Sequence, residues 1–213
     1  MEENMQIFLS SLQEDLPDCL DRIWLRARMD QVPVIRDQVQ SLLKVLLALQ
    51  KPERILEIGT ATGFSALFMC EYGPTDVQVT TIEKDEKRAA QAAANIADLG
   101  RQGQIHLLTG DASRILPSLS PSFDLIFMDA AKGQYIRWLP DMLRLMHTGS
   151  VLVSDNCLRG GDILESHFLV ERRDRTIFHR MREYLYSLTH TPGLRTTVLP
   201  TGDGVSVTVK VEP

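Results

Sequence analysis

The sequence predicts an α/β fold: a mostly parallel, seven-stranded sheet with helices on both faces, an antiparallel C-terminal hairpin and an N-terminal helical extension. Three observations carry that expectation. From Arg54 onward, short β-rich runs alternate with helical stretches, which calls for a parallel sheet covered on both sides. The first fifty residues repeat their apolar positions at helical spacing. The tail ends in two alternating runs around a turn that carries two glycines.

Taken in order, Glu3–Leu12, Pro17–Met29 and Val34–Gln50 place apolar residues three and four apart, with Pro17 suited to a helix start and Pro33 and Pro52 as punctuation. Five strands follow, at Arg54–Gly59, Val77–Glu83, Ile105–Thr109, Phe123–Asp129 and Ser150–Asp155. Helices separate them near Phe64–Tyr72, Asp85–Leu99, Ala112–Leu119 and Gln134–His147. A longer helix, Thr176–Thr189, precedes strands Arg195–Leu199 and Val205–Val211, joined by Pro200-Thr201-Gly202-Asp203-Gly204. No internal repeat or linker stands out, so residues 1–213 read as one domain, with 1–50 as the helical extension and 51–213 as the α/β core.

Composition narrows the function classes. With 44% hydrophobic and 24% charged residues in 213, the chain is an ordinary globular one, which excludes disordered and collagen-like readings. A formal net charge of −5 argues against a general basic coat for nucleic acid. The longest apolar runs, Val45–Leu49 and Ala66–Cys70, are far short of the ~20 residues a membrane-spanning helix needs. The acidic start Met1-Glu2-Glu3-Asn4 lacks the positive charge of a secretory signal, so a cytoplasmic protein is expected. Cys19, Cys70 and Cys157 are widely spaced and suggest neither a disulfide framework nor a zinc site, and the histidines show no ligand spacing.

Two groups of residues carry chemistry. In Ile55-Leu56-Glu57-Ile58-Gly59-Thr60-Ala61-Thr62-Gly63, a buried strand runs into a glycine-bearing turn and then a helix, an arrangement that lets backbone and helix amides approach a ligand. The order differs from the G-x-G-x-x-G dinucleotide fingerprint. Glu83, at the end of the second strand, is placed to accept both hydroxyls of a ribose, and Glu57 needs a donor to offset its burial. Asp111 is a candidate for the adenine edge or, equally, a helix N-cap.

The second group lies at the ends of strands four and five. Asp129, Asp155 and Asn156 offer only oxygen atoms, and adjacent parallel strands about 4.8 Å apart bring their C-terminal residues together. That donor set favours a hard divalent cation such as Mg²⁺. Lys132, three residues beyond Asp129, is close enough in the chain to reach the same pocket. A cation lowers the pKa of a hydroxyl, and a lysine can receive or stabilise its departing proton. Cys157 reads as a small apolar filler.

On these residues the chain resembles the class I S-adenosylmethionine (SAM)-dependent methyltransferases with their Rossmann-like fold. It is most similar to the small metal-dependent O-methyltransferases that include the catechol and caffeoyl-CoA enzymes. The resemblance implies SAM as cofactor, with Glu57, Gly59, Thr60, Gly63, Ser65, Glu83, Asp111, Ala112 and Asp129 around it. It implies a divalent cation on Asp129, Asp155 and Asn156, catalysis by Lys132 with Asp129, and a homodimer formed through the N-terminal helices. It departs at Asp37-Gln38-Val39-Gln40, where Val39 stands in place of the family's usual glycine.

The run Asp129-Ala130-Ala131-Lys132-Gly133-Gln134-Tyr135, the Gly202-Asp203-Gly204 turn and an arginine-rich segment look like the bacterial branch containing tRNA 5-hydroxyuridine methyltransferases. Arg172, Arg173, Arg175, Arg180 and Arg182 against Glu171 and Asp174 give residues 171–182 a charge of +3 within a chain of −5, and Gly160-Gly161 opens the insertion before them. A solvated helix face is the plain reading of that segment; phosphate contact is the sharper one. A hydroxylated wobble uridine of a tRNA anticodon is therefore one expected acceptor, and a small catechol or phenol the other. Outside this chemistry, a nucleotide-dependent oxidoreductase leaves Asp129, Asp155 and Asn156 unexplained, and a non-catalytic adenosyl-binding module has no use for Lys132.

Overall fold

The computed structural model describes residues 8–120, 122–158 and 175–212. Its sheet has seven strands in the order β3-β2-β1-β4-β5-β7-β6. These are β1 (Arg54–Ile58), β2 (Gln78–Glu83), β3 (Ile105–Thr109), β4 (Phe123–Met128), β5 (Met146–Ser154), β6 (Leu194–Leu199) and β7 (Val205–Lys210). The first five pair in parallel, and β7 joins β5 and β6 antiparallel. The order reverses at β1, whose neighbours are β2 and β4, so the crevice above their C-terminal ends is where an open α/β sheet binds ligands.

Each face of the sheet buries its own core. On one side α1 (Asp18–Met29), α2 (Asp37–Gln50), α3 (Phe64–Tyr72) and α4 (Glu86–Asp98) close over Ile55, Val79, Leu125 and Val153. On the other, α5 (Ala112–Ile115), α6 (Tyr135–Leu145) and α7 (Arg175–His190) close over Leu56, Ile58, Ile126 and Leu152. Alternate residues of one strand thus serve opposite faces, as the two-residue pleat requires. In α3, Phe64 through Cys70 are buried, because α1 and α2 cover what would otherwise be its outer surface; only its last turn carries an exposed charge, Glu71.

Several element boundaries differ from those the sequence suggests, each for a local reason. Residues 8–11 are helical, and the rest of the first expected helix, like Gly160-Gly161, Arg172 and Arg173, lies outside the described residues. The helix expected from Val34 begins only at Asp37, because Pro33 leaves residues 32–36 extended and the buried Gln40 amide donates to the Ile35 carbonyl. Val39 is fully buried in the core beneath this turn, so the position that departs from the family pattern is filled by packing. The helix expected to reach His147 stops at Leu145. There β5 starts early because Ser150 Oγ accepts from the His147 amide and donates to the Phe123 carbonyl. After Ile115 the chain tightens into a 3₁₀ turn, Leu116–Ser118, where Pro117 offers no amide to continue the α-helix.

Candidate functional site

The glycine turn after β1 is fixed from three sides. Its Gly59 amide donates to the Ile82 carbonyl, and Asn95 of α4 donates to the Thr62 carbonyl at 2.8 Å. Glu83 spends one oxygen on the Ala61 amide and the other on the Asp85 amide, both at 2.8 Å, so it splints the turn to the end of β2. Gly59 has φ +97°, and a Cβ there would fall 2.1 Å from the Asp129 carbonyl oxygen. Only glycine lets the first turn and the end of β4 approach this closely.

Gly63 has a different job. Its φ is +84° and a Cβ would press on Ala92 of α4, so it serves the contact between α3 and α4 and does not line the cleft. Gly59, Thr60, Ser65, Glu83, Asp111, Ala112 and Asp129, by contrast, all border one cleft of about 950 Å³. Asp111 fulfils its capping role as well: it accepts from the Ser113 amide and pairs with Lys84 at 2.9 Å. The lysine, followed by the capping amide, draws its pKa down to about 2.

Glu57 lies directly behind the cleft with no exposed surface. Thr81 donates to its Oε2, while Oε1 has no partner among the described residues; the hydroxyls of Thr60 and Thr62 are likewise buried without one. Burial pushes the Glu57 pKa to about 7 against the pull of the surrounding hydroxyls, of which only that of Thr81 makes a hydrogen bond to it. A buried carboxylate with an idle oxygen is costly, and a cationic or N–H donor arriving from the cleft would relieve it.

The strands carry the second group to the other wall. The Asp129 amide continues the sheet by donating to the Ile58 carbonyl, and that of Asp155 donates to the Met128 carbonyl. Asp129, Lys132, Asp155 and Asn156 border a second cleft of about 570 Å³, joined by Arg36 and Asp203. Asp129, Lys132 and Asn156 also border the first, so the two clefts meet at these residues. Lys132 Nζ contacts Asp129 Oδ1 at 2.8 Å and the Tyr135 hydroxyl at 3.2 Å. Asp155 is 2% exposed, and its pKa is pushed to about 7, first by burial and then by the charge of Asp129.

Among the described residues, no three His, Cys, Asp or Glu side chains form a metal-binding group; the cluster is two carboxylates with Asn156 as the third oxygen donor. Asn156 takes a left-handed conformation, φ 55°, and its amide donates to the Asp155 carboxylate. The donor set, all oxygen with two repelling carboxylates, fits a hard divalent cation.

Three participants were assigned no role from the sequence, although Asp203 and Tyr135 stood in quoted motifs. Arg36 and Asp203 form an ion pair at 2.6 Å that joins the start of α2 to the C-terminal hairpin across the second cleft. The hairpin is in turn held to the Asn156 loop, since Cys157 and Leu158 donate their amides to the carbonyls of Gly204 and Asp203. Tyr135 is the third, through its hydroxyl contact with Lys132. Of the arginine-rich segment, Arg180 donates to the Gly133 carbonyl and Arg182 lies over the Phe178 ring, 4.5 Å from its centre.

A family model described as O-methyltransferase matches residues 9–211. A catechol O-methyltransferase of Niastella koreensis is 37% identical over 129 residues, which are 59% of this chain and 58% of that protein, so less than two thirds of the relative is spanned. A Staphylococcus aureus structure, provisionally described as a caffeoyl-CoA O-methyltransferase, superposes with a TM-score of 0.87 at 26% identity, over 98% of this chain and 99% of that one. The O-methyltransferase TomG of Streptomyces achromogenes, solved in complex with SAM, gives 0.85 at 25% identity over 98% and 96%.

Proposed function

The chain belongs to the O-methyltransferase family, and on that premise we propose that it transfers the methyl group of SAM to a ring hydroxyl held at a divalent cation. The observation that carries the proposal is the meeting of the two clefts at Asp129, Lys132 and Asn156. A cofactor in the larger cleft and an acceptor in the smaller one would face each other across these residues.

Each group then has a task. Glu83 keeps lone pairs free for the ribose hydroxyls, beyond the one on each oxygen that holds the turn. The idle oxygen of Glu57 supplies a counter-charge for the ammonium of the methionyl part, through the wall formed by Thr60 and Ser65. Asp111 and Ala112, which border the same cleft, would meet the adenine ring. Asp129, Asp155 and Asn156 would hold the cation, most suitably Mg²⁺, which when bound lowers the pKa of an acceptor hydroxyl. Lys132 receives or stabilises the departing proton. The oxygen forms its bond to the methyl carbon as the carbon–sulfur bond breaks, and the sulfonium leaves as a neutral thioether. Holding the two reactants in line is the protein's main contribution.

Two acceptors are compatible with this chemistry. A small catechol or phenol is supported by the similarity to the catechol O-methyltransferase of Niastella koreensis. A 5-hydroxyuridine of the tRNA anticodon is supported by α7, whose Arg180 donates to the carbonyl of Gly133, the neighbour of Lys132, and so stands beside the acceptor cleft. Calorimetry with SAM and with NAD tests the cofactor: SAM alone should bind, and binding of NAD alone overturns the proposal. Methyl transfer to hydroxylated tRNA from cells lacking the enzyme, beside a panel of catechols, decides the acceptor. Turnover of catechols only, with Arg172→Glu and Arg173→Glu silent, removes tRNA.

A further inference from the structure

The Tyr135 hydroxyl stands at a junction that the methyl-transfer scheme leaves unused. Tyr135 opens α6 and has no exposed surface. Its oxygen lies 3.1 Å from the Ala130 amide, 3.2 Å from Lys132 Nζ, 3.1 Å from the Met128 carbonyl and 3.3 Å from the Asp155 carbonyl. A phenol has one proton to give and two lone pairs to fill. Ala130 and Lys132 donate to the lone pairs, and the proton is shared between the Met128 and Asp155 carbonyls.

One oxygen therefore grips the chain on both sides of Asp129, at Met128 and at Ala130, while it also holds the backbone of Asp155 on the neighbouring strand. The fourth attachment is Lys132, which thereby has a neutral partner besides Asp129. Lys132 keeps that partner when the Asp129 carboxylate is engaged elsewhere. Resting on the methyl-transfer reading above, we infer that Tyr135 is a positioning residue: its buried hydroxyl fixes Asp129, Asp155 and Lys132 relative to one another for the cation and the acceptor.

A core tyrosine with ordinary hydrogen bonds is the competing explanation, and Tyr184 provides the matched control. It is equally buried, its ring meets that of Tyr135 edge-on with centroids 5.5 Å apart, and its hydroxyl lies 2.6 Å from Ser154 Oγ, within strand β5. Its removal perturbs the same layer of the core from the strand side.

The test compares full-length Tyr135→Phe and Tyr184→Phe with the wild type. Calorimetry with Mn²⁺ alone should show binding weakened roughly 10- to 100-fold in Tyr135→Phe and changed less than about twofold in Tyr184→Phe, the usual scale for outer partners of a metal site. Hydrogen exchange at the Ala130 amide should speed up by about tenfold or more in Tyr135→Phe only, since that amide loses its acceptor. In turnover, kcat should fall with the KM for SAM unchanged. Equal effects in the two variants, or a Tyr135→Phe protein within about twofold of wild type on all three readings, overturns the inference. A wild type that binds no Mn²⁺ sinks the metal-dependent reading instead, and exchange at Ala130 still decides the role of Tyr135. If Tyr135→Phe does not fold, 3-fluorotyrosine at this position keeps the ring and the hydroxyl while weakening the acceptor; unchanged Ala130 exchange there counts against the inference.

Discussion

A carboxylate buried in an apolar strand raises the unfolding question and the binding question together. Glu57 is pushed by burial from 4.5 to about 7, so between those values the folded chain holds a proton that the unfolded chain has released. The stability contributed by this protonation is complete below pH 4.5, falls as pH rises, and is gone above about 7. Glu57→Gln should remove its part of that slope in urea unfolding without SAM, where the similar shift of Asp155 is common to both proteins and cancels. The same variant should bind SAM roughly tenfold more weakly, because the counter-charge behind the wall of Thr60 and Ser65 is lost. A variant that keeps wild-type affinity would assign Glu57 to structure alone. Gly59 gives a sharper residue-scale test. Gly59→Ala must move the Asp129 carbonyl and hold a strained φ, a cost of roughly 2–4 kcal/mol, whereas Gly103→Ala, with no atom within 4 Å of its added carbon, should stay near neutral. Denaturant midpoints of the pair measure the difference.

At the scale of elements, the N-terminal ends of the central strands are stapled by one side chain. Asp124 accepts from the amides of Glu53 and Arg54 and from His147 Nε2, the last at 2.9 Å. Burial pushes its pKa up, but the His147 and backbone hydrogen bonds outweigh that and leave it lowered, while Asp124 raises His147. The signs define a window. The His147 part is present below its ordinary 6.5 and lost as pH rises through its elevated folded value; the Asp124 part is present above 3.8 and lost as pH falls through its lowered one. Asp124→Ala should therefore cost about 2–3 kcal/mol near pH 5–6, and less on either side, by thermal or urea unfolding. This staple also explains what was legible in the sequence. Alternation of strands and helices revealed every strand and α-helix from Arg54 to Lys210, though not the two 3₁₀ turns, because period and glycine placement are local. The switch from α6 to β5 at Met146 was not legible, since it is set by Ser150 and Asp124 reaching across the sheet. The late start of α2 at Asp37 likewise depends on a buried side-chain amide, that of Gln40.

Across the whole molecule, exposed apolar surface is unevenly spread. Of the nine exposed large apolar side chains among the described residues, seven, including Phe8, Leu12, Met29 and Leu49, belong to the first fifty positions. The homodimer that the family resemblance implies, with the N-terminal helices as its contact elements, would bury such side chains. Sedimentation should then show a dimer that Met29→Glu with Leu49→Glu converts to a monomer; a monomeric wild type contradicts it. The candidate site was readable in outline because its chemistry sits at strand ends, where the sheet order alone brings Glu57, Gly59, Asp129 and Asp155 together. Tyr135, Arg36 and Asp203 were not, because their roles depend on contacts between segments far apart in the chain or on a buried hydroxyl whose partners are mostly backbone. Two clefts share the edge formed by Asp129, Lys132 and Asn156, where the proposed cation would sit. The most direct test is transfer of labelled methyl from SAM to a hydroxylated acceptor by purified protein, with EDTA and after Mg²⁺ is restored. The predicted result is transfer that EDTA abolishes and Mg²⁺ recovers, and that Asp155→Ala lacks in either condition. Transfer that persists unchanged in EDTA and in Asp155→Ala would contradict the metal-held acceptor at the centre of the account.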